Sequence, residues 1–336
     1  MASNADIIRK ADLAVSDLTS DGGLLNPEQA NRFIRKLIKV PTLLRQVRTV
    51  EMLSPSRKIN KIQFNKRILR AGTSGTALAD VADDAQAAWD ASTANTKRAK
   101  VLTEQIQLDT QEQLAEVRLP YDVIEDNIER GNIGAQTDVG GAGAGGGLVD
   151  TIITLMAERA ALDLEELALL GDTTTGAADL YLDQFDGYIK MVNDNGNVSN
   201  VGGETISKKV FKNGMKTMPD QYLRQKSTMK HFVSQDNETE YRDTLADRAT
   251  GLGDATIQGN APVGAYSVPV EAVSLMPEDK GIFTNPLNLI WGVQRQMTME
   301  FDKDISSRVF IIVLTMRIAI QVEETEAAVL YTNIGS

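Results

Sequence analysis

The chain has 336 residues, of which 42% are hydrophobic and 24% charged, as in ordinary globular proteins of more than one lobe. Its formal charge of -11 argues against a general nucleic-acid binder, because such a protein needs a basic face. The absence of cysteine excludes disulfides, thiolate nucleophiles and cysteine-ligated metals. The most apolar run, residues 309–320, is too short to span a membrane, and no signal peptide precedes it, so we expect a soluble cytosolic product.

The start of the chain differs from the rest in charge. Residues 1–70 hold 14 Lys/Arg and 6 Asp/Glu, a net +8, whereas residues 71–336 carry a net -19. Residues 24–40 predict an amphipathic helix with an Asn-Pro start and an apolar stripe that includes Phe33 and Leu37. A basic arm on an acidic body favours self-association, because the arm of one copy can lie on the body of another. Such an arm could also touch nucleic acid locally.

A long polar tract lies between two predicted strands. Residues 56–64 alternate as a strand should, and strand character resumes over residues 101–108. The intervening residues 65–100 are rich in Ala, Thr, Asp and Gly, with Trp89 as the one large anchor. A tract of this kind buries little against its own chain. We therefore expect either an extended hairpin arm that a neighbour orders, or disorder.

The longest predicted helix follows a glycine-rich tract. Before that tract, residues 117–131 predict the end of a strand, a proline break and a short helix. Residues 148–170 then predict a helix of about 35 Å, with Gly171 as its natural stop. Its apolar face consists of Val149, Ile153, Met156, Ala160, Leu164 and Leu167. The acidic residues of the helix, Glu165 among them, are predicted to lie elsewhere.

The last part of the chain combines a compact lobe with two long strands. Residues 192–287 predict an α+β lobe. Its clearest elements are two helices, at residues 206–217 and 237–248, and a strand at residues 229–234. Residues 289–301 and 308–324 alternate as long strands, joined by a turn at 302–307. One face of the second strand is predicted to consist of Phe310, Ile312, Leu314, Met316, Ile318, Ile320 and Val322.

The tract from Gly140 to Gly147 raises the question of nucleotide binding. Gly141, Gly143 and Gly146 have the G-x-G-x-x-G spacing of dinucleotide-binding loops. That fingerprint must follow a strand, which the preceding residues do not predict, and no G-K-[ST] follows. A nucleotide-dependent enzyme is thus the unfavoured alternative. We expect a flexible elbow, in which Gly143, Gly145 and Gly146 let the long helix swing.

No other pattern predicts an active site. Residues 17–28 approach a calcium loop, but the third position lacks a carboxylate or amide, and a helix starts where the loop should turn. The single histidine, His231, lies in a strand-like stretch without a G-x-S-x-G elbow, so we expect a core or edge histidine. The adjacent carboxylates Asp83–Asp84 and Glu165–Glu166 are expected on solvated faces. The sequence therefore predicts no enzyme, no cofactor and no metal site.

Six stretches carry a resemblance that covers nearly the whole chain. They are LLNPEQANRFIRKLIK (24–39), VRLPYDVIEDNI (117–128), LMAERAALDLEELALLGDTTTG (155–176), QFDGYIKMV (184–192), NAPVGAYSVPVEAVSLMP (260–277) and AAVLYTNI (327–334). Together with the order of the parts, they resemble the major capsid protein of tailed bacteriophages, the Hong Kong 97-type fold. The third and fourth stretches match the family pattern of a helix, Gly-Asp, a Gly-rich turn, and Gly before apolar residues.

The resemblance implies an α+β fold with four parts. They are an N-terminal arm (1–55), an extended loop hairpin (56–110), a peripheral domain (111–191 and 288–336) with spine helix 148–170, and an axial domain (192–287). It also implies a structural protein that self-assembles into hexamers and pentamers of an icosahedral shell around viral double-stranded DNA. Such a protein belongs to the virion and is made in the cytoplasm of the host bacterium.

The resemblance further implies partners and contact residues. The partners are other copies of the chain, a separate scaffolding protein, a portal protein, in some relatives a decoration protein, and DNA held by non-specific contacts, with no membrane. Expected inter-subunit contacts are Phe33, Arg35, Leu37, Lys39, Arg67, Arg70, Trp89 and Lys97. Some relatives cross-link through a hairpin lysine; Lys66, Lys97 and Lys100 are available here, but no matching signature accompanies them.

Two alternatives remain besides the nucleotide-dependent enzyme. An encapsulin, a bacterial compartment shell, has the same fold and differs in what the lumen holds, a cargo enzyme instead of DNA. A DNA-organising protein would use the basic residues between 32 and 70, and its binding to DNA would depend steeply on salt.

Overall fold

The computed structural model describes residues 42–63, 102–120, 148–174, 179–246 and 263–335. The chain divides into two compact units, which we describe separately. The small unit is Leu53–Asp109, and the large unit combines Met1–Met52 with Thr110–Ser336.

The described residues contain twelve β-strands, four α-helices and four short 3-10 helices. In chain order, the strands are β1 Arg48–Glu51, β2 Ser56–Gln63, β3 Leu102–Asp109, β4 Gln111–Pro120, β5 Asn197–Asn200, β6 Lys230–Val233, β7 Gly264–Ala265, β8 Val268–Ala272, β9 Gly281–Thr284, β10 Leu289–Asp304, β11 Val309–Val322 and β12 Ala328–Thr332. The α-helices are α1 Leu148–Leu170, α2 Tyr188–Asn195, α3 Lys208–Thr217 and α4 Gln235–Ala246.

The small unit is an antiparallel ribbon. Strands β2 and β3 pair along their full lengths, from Ser56 opposite Asp109 to Gln63 opposite Leu102. Both strands predicted on either side of the polar tract are therefore confirmed. Most described side chains of β2 are exposed, as expected for a segment that buries little against its own chain.

The first sheet of the large unit has the β10–β11 hairpin at its centre. Its strand order is β1-β10-β11-β4, with β1 parallel to β10 and the other pairs antiparallel. All seven side chains of the predicted face of β11, from Phe310 to Val322, are buried, which confirms the alternation. The strands extend further into the predicted turn than expected, to Asp304, and Arg308 adopts a left-handed φ of 52° after it.

Helix α1 confirms the helix predicted at 148–170 and packs on this sheet. Its first half places Ile152, Ile153 and Met156 against Leu119, Phe310 and Ile312. Its last turns enter the larger core through Leu164, Leu167, Ala168 and Leu169. The helix ends as predicted at Gly171, whose N–H still donates to the carbonyl of Leu167 at 3.0 Å.

The second sheet of the large unit has six strands in the order β5-β12-β9-β6-β8-β7. One of its faces joins the core around α1 through Phe232, Ile282 and Leu330. Helices α3 and α4 cover the opposite face, where Phe211 of α3 and Tyr241 of α4 meet with their ring centroids 4.8 Å apart. The core of the large unit is therefore layered on both sides of this sheet.

The short elements of this lobe are of the predicted type, but they begin at other residues than predicted. Helix α3 begins two residues after the predicted start, and α4 begins two residues before its own. Strand β6 confirms the strand predicted at 229–234. Strand β12 had not been predicted as a strand. It lies between β5 and β9, so the sheet uses residues outside the predicted 192–287 lobe.

Candidate functional site

Most residues with a predicted functional role lie outside the described residues. These are the contact residues Phe33, Arg35, Leu37, Lys39, Arg67, Arg70, Trp89 and Lys97, the elbow residues Gly143, Gly145 and Gly146, and the whole calcium-like stretch 17–28. Their roles stay predictions. The described residues do define the places at which the predicted arm and the predicted helix turn join the large unit.

His231 is a core residue, one of the two placements that the sequence predicted. It is fully buried, its Nδ1 lies 3.1 Å from the hydroxyl of Tyr331, and its ring stacks on Phe283 with centroids 4.4 Å apart. Burial lowers the pKa of His231 to about 3, so the imidazole is neutral. Within the described residues its one hydrogen-bond partner is a tyrosine in the same core, which fits packing and not acid–base catalysis.

Glu165 corrects a prediction. The sequence placed it on a solvated face, but its side chain is fully buried. Its Oε1 accepts hydrogen bonds from the backbone N–H groups of Thr42, at 2.9 Å, and Leu43, at 2.5 Å. The physical reason is that a carboxyl group can enter the core where backbone donors would otherwise be unpaired. Glu165 therefore fixes the first described residues to helix α1.

The segment after residue 41 is held at a second point. Leu43 and Val47 are buried in the core beside α1. Gln46 contacts one side chain from each of the paired strands β6 and β8: its Oε1 accepts from Lys230 Nζ at 2.8 Å, and its Nε2 donates to Glu271 Oε2 at 2.6 Å. Lys230 and Glu271 also contact each other at 2.5 Å. The root of the predicted arm is thereby tied to the six-stranded sheet, and β1, which follows it, pairs with β10 of the four-stranded sheet.

Two glycines bring the end of α1 against the start of α2. A Cβ on Gly187 would lie 2.7 Å from both the nitrogen of Gly171 and the carbonyl oxygen of Leu169. A Cβ on Gly171 would lie 2.5 Å from the carbonyl oxygen of Phe185. The N–H of Gly187 donates to the carbonyl of Gly171 at 2.8 Å. Backbones this close admit only glycine, which explains the Gly-Asp and Asp-Gly pairs of the third and fourth resemblance stretches.

The aspartates next to these glycines in the sequence, Asp172 and Asp186, form a cluster around Lys190. Its Nζ lies 2.6 Å from Asp172 and 2.8 Å from Asp186. The hydrogen bonds from Lys190 and then from Thr174 lower the pKa of Asp172 to about 2. The hydrogen bonds to Asp172 and then to Asp186 raise the pKa of Lys190. All three groups are thus paired, and the cluster fixes a turn instead of offering a reactive group.

A second polar surface lies on the face of the four-stranded sheet opposite α1. Glu112 of β4 contacts Arg295 of β10 at 2.5 Å and Arg317 of β11 at 3.5 Å. The hydrogen bond from Arg295 is the main cause that lowers the pKa of Glu112. The carboxylate of Glu112 thereby offsets the repulsion between two arginines that lie directly opposite each other on β10 and β11.

The described residues contain no group of three or more His, Cys, Asp or Glu side chains placed to hold a metal ion. The helices that the structure describes are also too short or too polar to cross a membrane.

A protein of Bacillus subtilis (strain 168), named "Putative prophage capsid protein YqbE", is 38% identical to this chain over 336 residues, or 96% of each protein. The match leaves almost no part of either chain unaligned. The chain belongs to the phage capsid protein family. The family resemblance seen in the sequence is confirmed, and the protein is a major capsid protein. No family model matches the sequence.

Solved capsid structures share the fold of this capsid protein. The capsid of a native GTA particle matches with a TM-score of 0.62 at 12% identity, over 96% of this chain and 100% of that chain. A chain from Mycobacterium phage Adephagia matches with a TM-score of 0.58 at 13% identity, over 96% and 98%. The predicted α+β fold of Hong Kong 97 type is confirmed by this likeness.

Sequence reasoning missed the residues that organise the arm root. Glu165 did carry a usable signal, because Ala161, Ala168 and Leu169 share its helical face at spacings of three and four. A single acidic residue on such an apolar face indicates a buried carboxyl group that accepts hydrogen bonds from buried donors. The Gln46–Lys230 contact joins residues 184 positions apart, and no local pattern reveals it.

Proposed function

We propose that this capsid protein assembles into hexamers and pentamers that close into an icosahedral shell around double-stranded viral DNA, and that it has no enzymatic role. The observation that carries the proposal is the likeness to capsid chains over 96% of this chain and 100% of the matched chain. A likeness of that extent leaves almost no part of the chain over for a separate catalytic domain. The paired charges around Lys190 and the neutral His231 support a structural role as well.

The division of labour within the chain is part of the proposal. Residues 1–55 act as the arm, 56–110 as the extended loop, 111–191 with 288–336 as the peripheral domain, and 192–287 as the axial domain. The separate compact unit Leu53–Asp109 supports an extended loop that binds a neighbouring copy. The fastening of Thr42 and Leu43 by Glu165 supports an arm that starts from a fixed root.

Further partners follow from the same role. They are a separate scaffolding protein, a portal protein, in some settings a decoration protein, and packaged DNA. The satellite phage P4 procapsid includes a size determination protein and matches this chain with a TM-score of 0.51 at 13% identity, over 88% of this chain and 95% of that chain. That likeness supports a shell whose size can be set by a partner. The protein then belongs to the virion and is made in the cytoplasm of the host bacterium.

Electron microscopy of the purified chain tests the proposal. We expect rings of five and six subunits or closed shells in negative stain, at low or at high salt. Shells that hold DNA in infected or induced cells support the capsid, whereas shells that hold a cargo enzyme support an encapsulin. A chain that stays monomeric at every salt concentration, with and without a co-expressed scaffolding protein, contradicts the shell-forming function.

The predicted elbow has its own test. The triple variant G143A/G145A/G146A should form fewer closed shells than the wild type, because alanine restricts the backbone freedom of the tract. Thermal unfolding of the unassembled variant is the control for loss of fold. Normal yields of closed, expanded shells from this variant contradict the elbow.

A further inference from the structure

Two helices of the six-stranded lobe expose opposite charges in rows of equal size. On α3, Lys208, Lys212 and Lys216 are exposed at spacings of four residues. On α4, the exposed acidic residues are Asp236, Glu240 and Asp243. Among the described residues, none of these six side chains has an ion pair or a hydrogen bond. The lysine between the basic positions, Lys209, is already paired with Glu204 at 2.8 Å.

Each row is unfavourable within a single copy. Like charges at spacings of three or four on one helix repel each other, so both rows disfavour the helices that carry them. The helix dipole disfavours Lys208 in the first turn of α3, whereas it favours Lys216 in the last turn of α3 and Asp236 in the first turn of α4. A sequence that keeps such rows on two neighbouring helices has a local conflict that a partner can remove.

The rows match in length and lie on two different helices of the lobe. At 1.5 Å per residue, the basic row spans about 12 Å and the acidic row about 10 Å. Helix α3 packs against β5 and β12 and also contacts β7, whereas α4 packs against β8. Both helices cover the same face of the sheet, through Phe211 and Tyr241. A second copy placed beside the first can therefore bring its acidic row to the basic row of its neighbour.

We propose that the basic row of α3 in one copy docks on the acidic row of α4 in the next copy, head to tail around a ring. This rests on the proposed shell function and names the surface by which its rings form in this lobe. Two different complementary patches on one subunit make a heterologous contact, which forms a ring when the rotation between copies closes. Complementary rows also fix the register of the contact and reject wrong neighbours.

The charges favour a second copy over DNA as the occupant of the basic row. The chain carries a net charge of -11, which disfavours a long phosphate backbone beside it. A row of three carboxylates matches the three lysines of α3 in number and spacing. Helix α4 supplies such a row on every copy.

Charge reversal tests the contact. The variants K208E/K212E/K216E and D236K/E240K/D243K should each raise the concentration at which half the chain assembles by about tenfold or more. The variant that carries both reversals should assemble like the wild type, because complementarity is restored. Sedimentation velocity measures assembly, and circular dichroism checks that each variant folds. Unchanged assembly of both single reversals, or a double reversal no better than either, overturns the proposal.

Mixing the two single reversals gives a sharper result. Each acidic α3 row can then meet a basic α4 row only in the other variant, so the two must alternate around a ring. Alternation is possible with six subunits and impossible with five. We expect hexamers, open sheets or tubes from the mixture, and few closed shells. Closed shells with normal pentamers overturn the proposal.

A cross-link gives an independent test in a chain that contains no cysteine. The variant K212C/E240C should form disulfide-linked ladders of up to six subunits on oxidation, whereas K226C/E240C should not. A wild type that assembles while K212C/E240C gives no ladder overturns this contact and leaves the shell function standing. A wild type that stays monomeric overturns both. If only the lysine reversal weakens assembly and it also removes binding to a duplex DNA probe, the basic row binds DNA instead.

Discussion

Glu165 beside the four-stranded sheet and His231 in the six-stranded sheet are buried in different ways. Beside the four-stranded sheet, the carboxyl group of Glu165 is buried because two backbone N–H groups meet it. On the six-stranded sheet, His231 is buried among aromatic rings and stays neutral. The first group holds a chain segment in place, and the second fills space. A buried polar residue thus shows its role through its donors and acceptors, not through its burial.

The two regions also use glycine differently. Near α1, Gly187 lets two backbones approach, and backbone atoms cannot move aside. Near β12, Gly214 of α3 leaves room for the ring of Tyr331. That tyrosine is buried, and its hydroxyl is hydrogen-bonded to His231. The contact beside α1 is therefore the more rigid of the two.

The largest expected effect comes from the glycine contact beside α1. We expect G187A to lower the free energy of unfolding by about 4 kcal/mol or to prevent folding, because the new methyl group meets backbone atoms. G214A should cost less, about 2–3 kcal/mol, since a side chain can adjust. Urea unfolding of the unassembled chain measures both. The control is G202A, at a left-handed φ of 75° in open space, with an expected cost of about 1 kcal/mol. Equal losses for G187A and G214A contradict the distinction.

The next effect concerns the arm root. We expect E165A to lower the free energy of unfolding by about 2–4 kcal/mol, because two buried N–H groups lose their acceptor and a cavity forms. E165Q retains an acceptor oxygen and should lose less than half as much. E166A is the matched control, because Glu166 is only partly buried and adjacent on the same helix. Proteolysis near residue 42 should accelerate in E165A alone. A loss in E165Q as large as in E165A would mean that the hydrogen bonds to Thr42 and Leu43 are not what matters.

The third effect depends on pH and belongs to His231. Its folded pKa of about 3 is below the ordinary value of 6.5, so the unfolded chain binds a proton that the folded chain does not. Stability should therefore fall as the pH drops below 6.5, by about 2–3 kcal/mol at pH 4.5. H231F should reduce this acid sensitivity, at a cost of about 1 kcal/mol at pH 7 for the hydroxyl of Tyr331 left unpaired.

The double variant H231F/Y331F is the control for that cost, because it removes both polar partners. Unfolding curves between pH 4 and pH 7 compare the three proteins. Parallel pH profiles for wild type and H231F would show that carboxylates, and not His231, set the acid sensitivity.

The sequence predicted the two regions to different degrees. Long regular elements were accessible, because the alternation of β11 and the apolar face of α1 extend over many residues. The short strand β12 was missed, since four consecutive apolar residues have no period that separates strand from helix. Family stretches located Gly171 and Gly187, but only the close backbone approach explains why glycine is needed there. The contacts of Glu165 and Gln46 were not predictable, because their partners are far away in sequence.

The smallest expected effect lies where the two regions are joined. Lys230, Glu271 and Gln46 are partly exposed and connect the arm root to the six-stranded sheet. We expect K230M to lower the free energy of unfolding by about 1 kcal/mol, and less in 0.5 M salt, because solvent and ions screen a contact of this kind. Q46A should have a similar effect. Because the two side chains share one network, the double variant should lose about 0.5 kcal/mol less than the two single losses together. Strict additivity would mean that Gln46 and Lys230 act separately, and that the buried side chains Leu43 and Val47, with Glu165, hold the arm root without help from this contact.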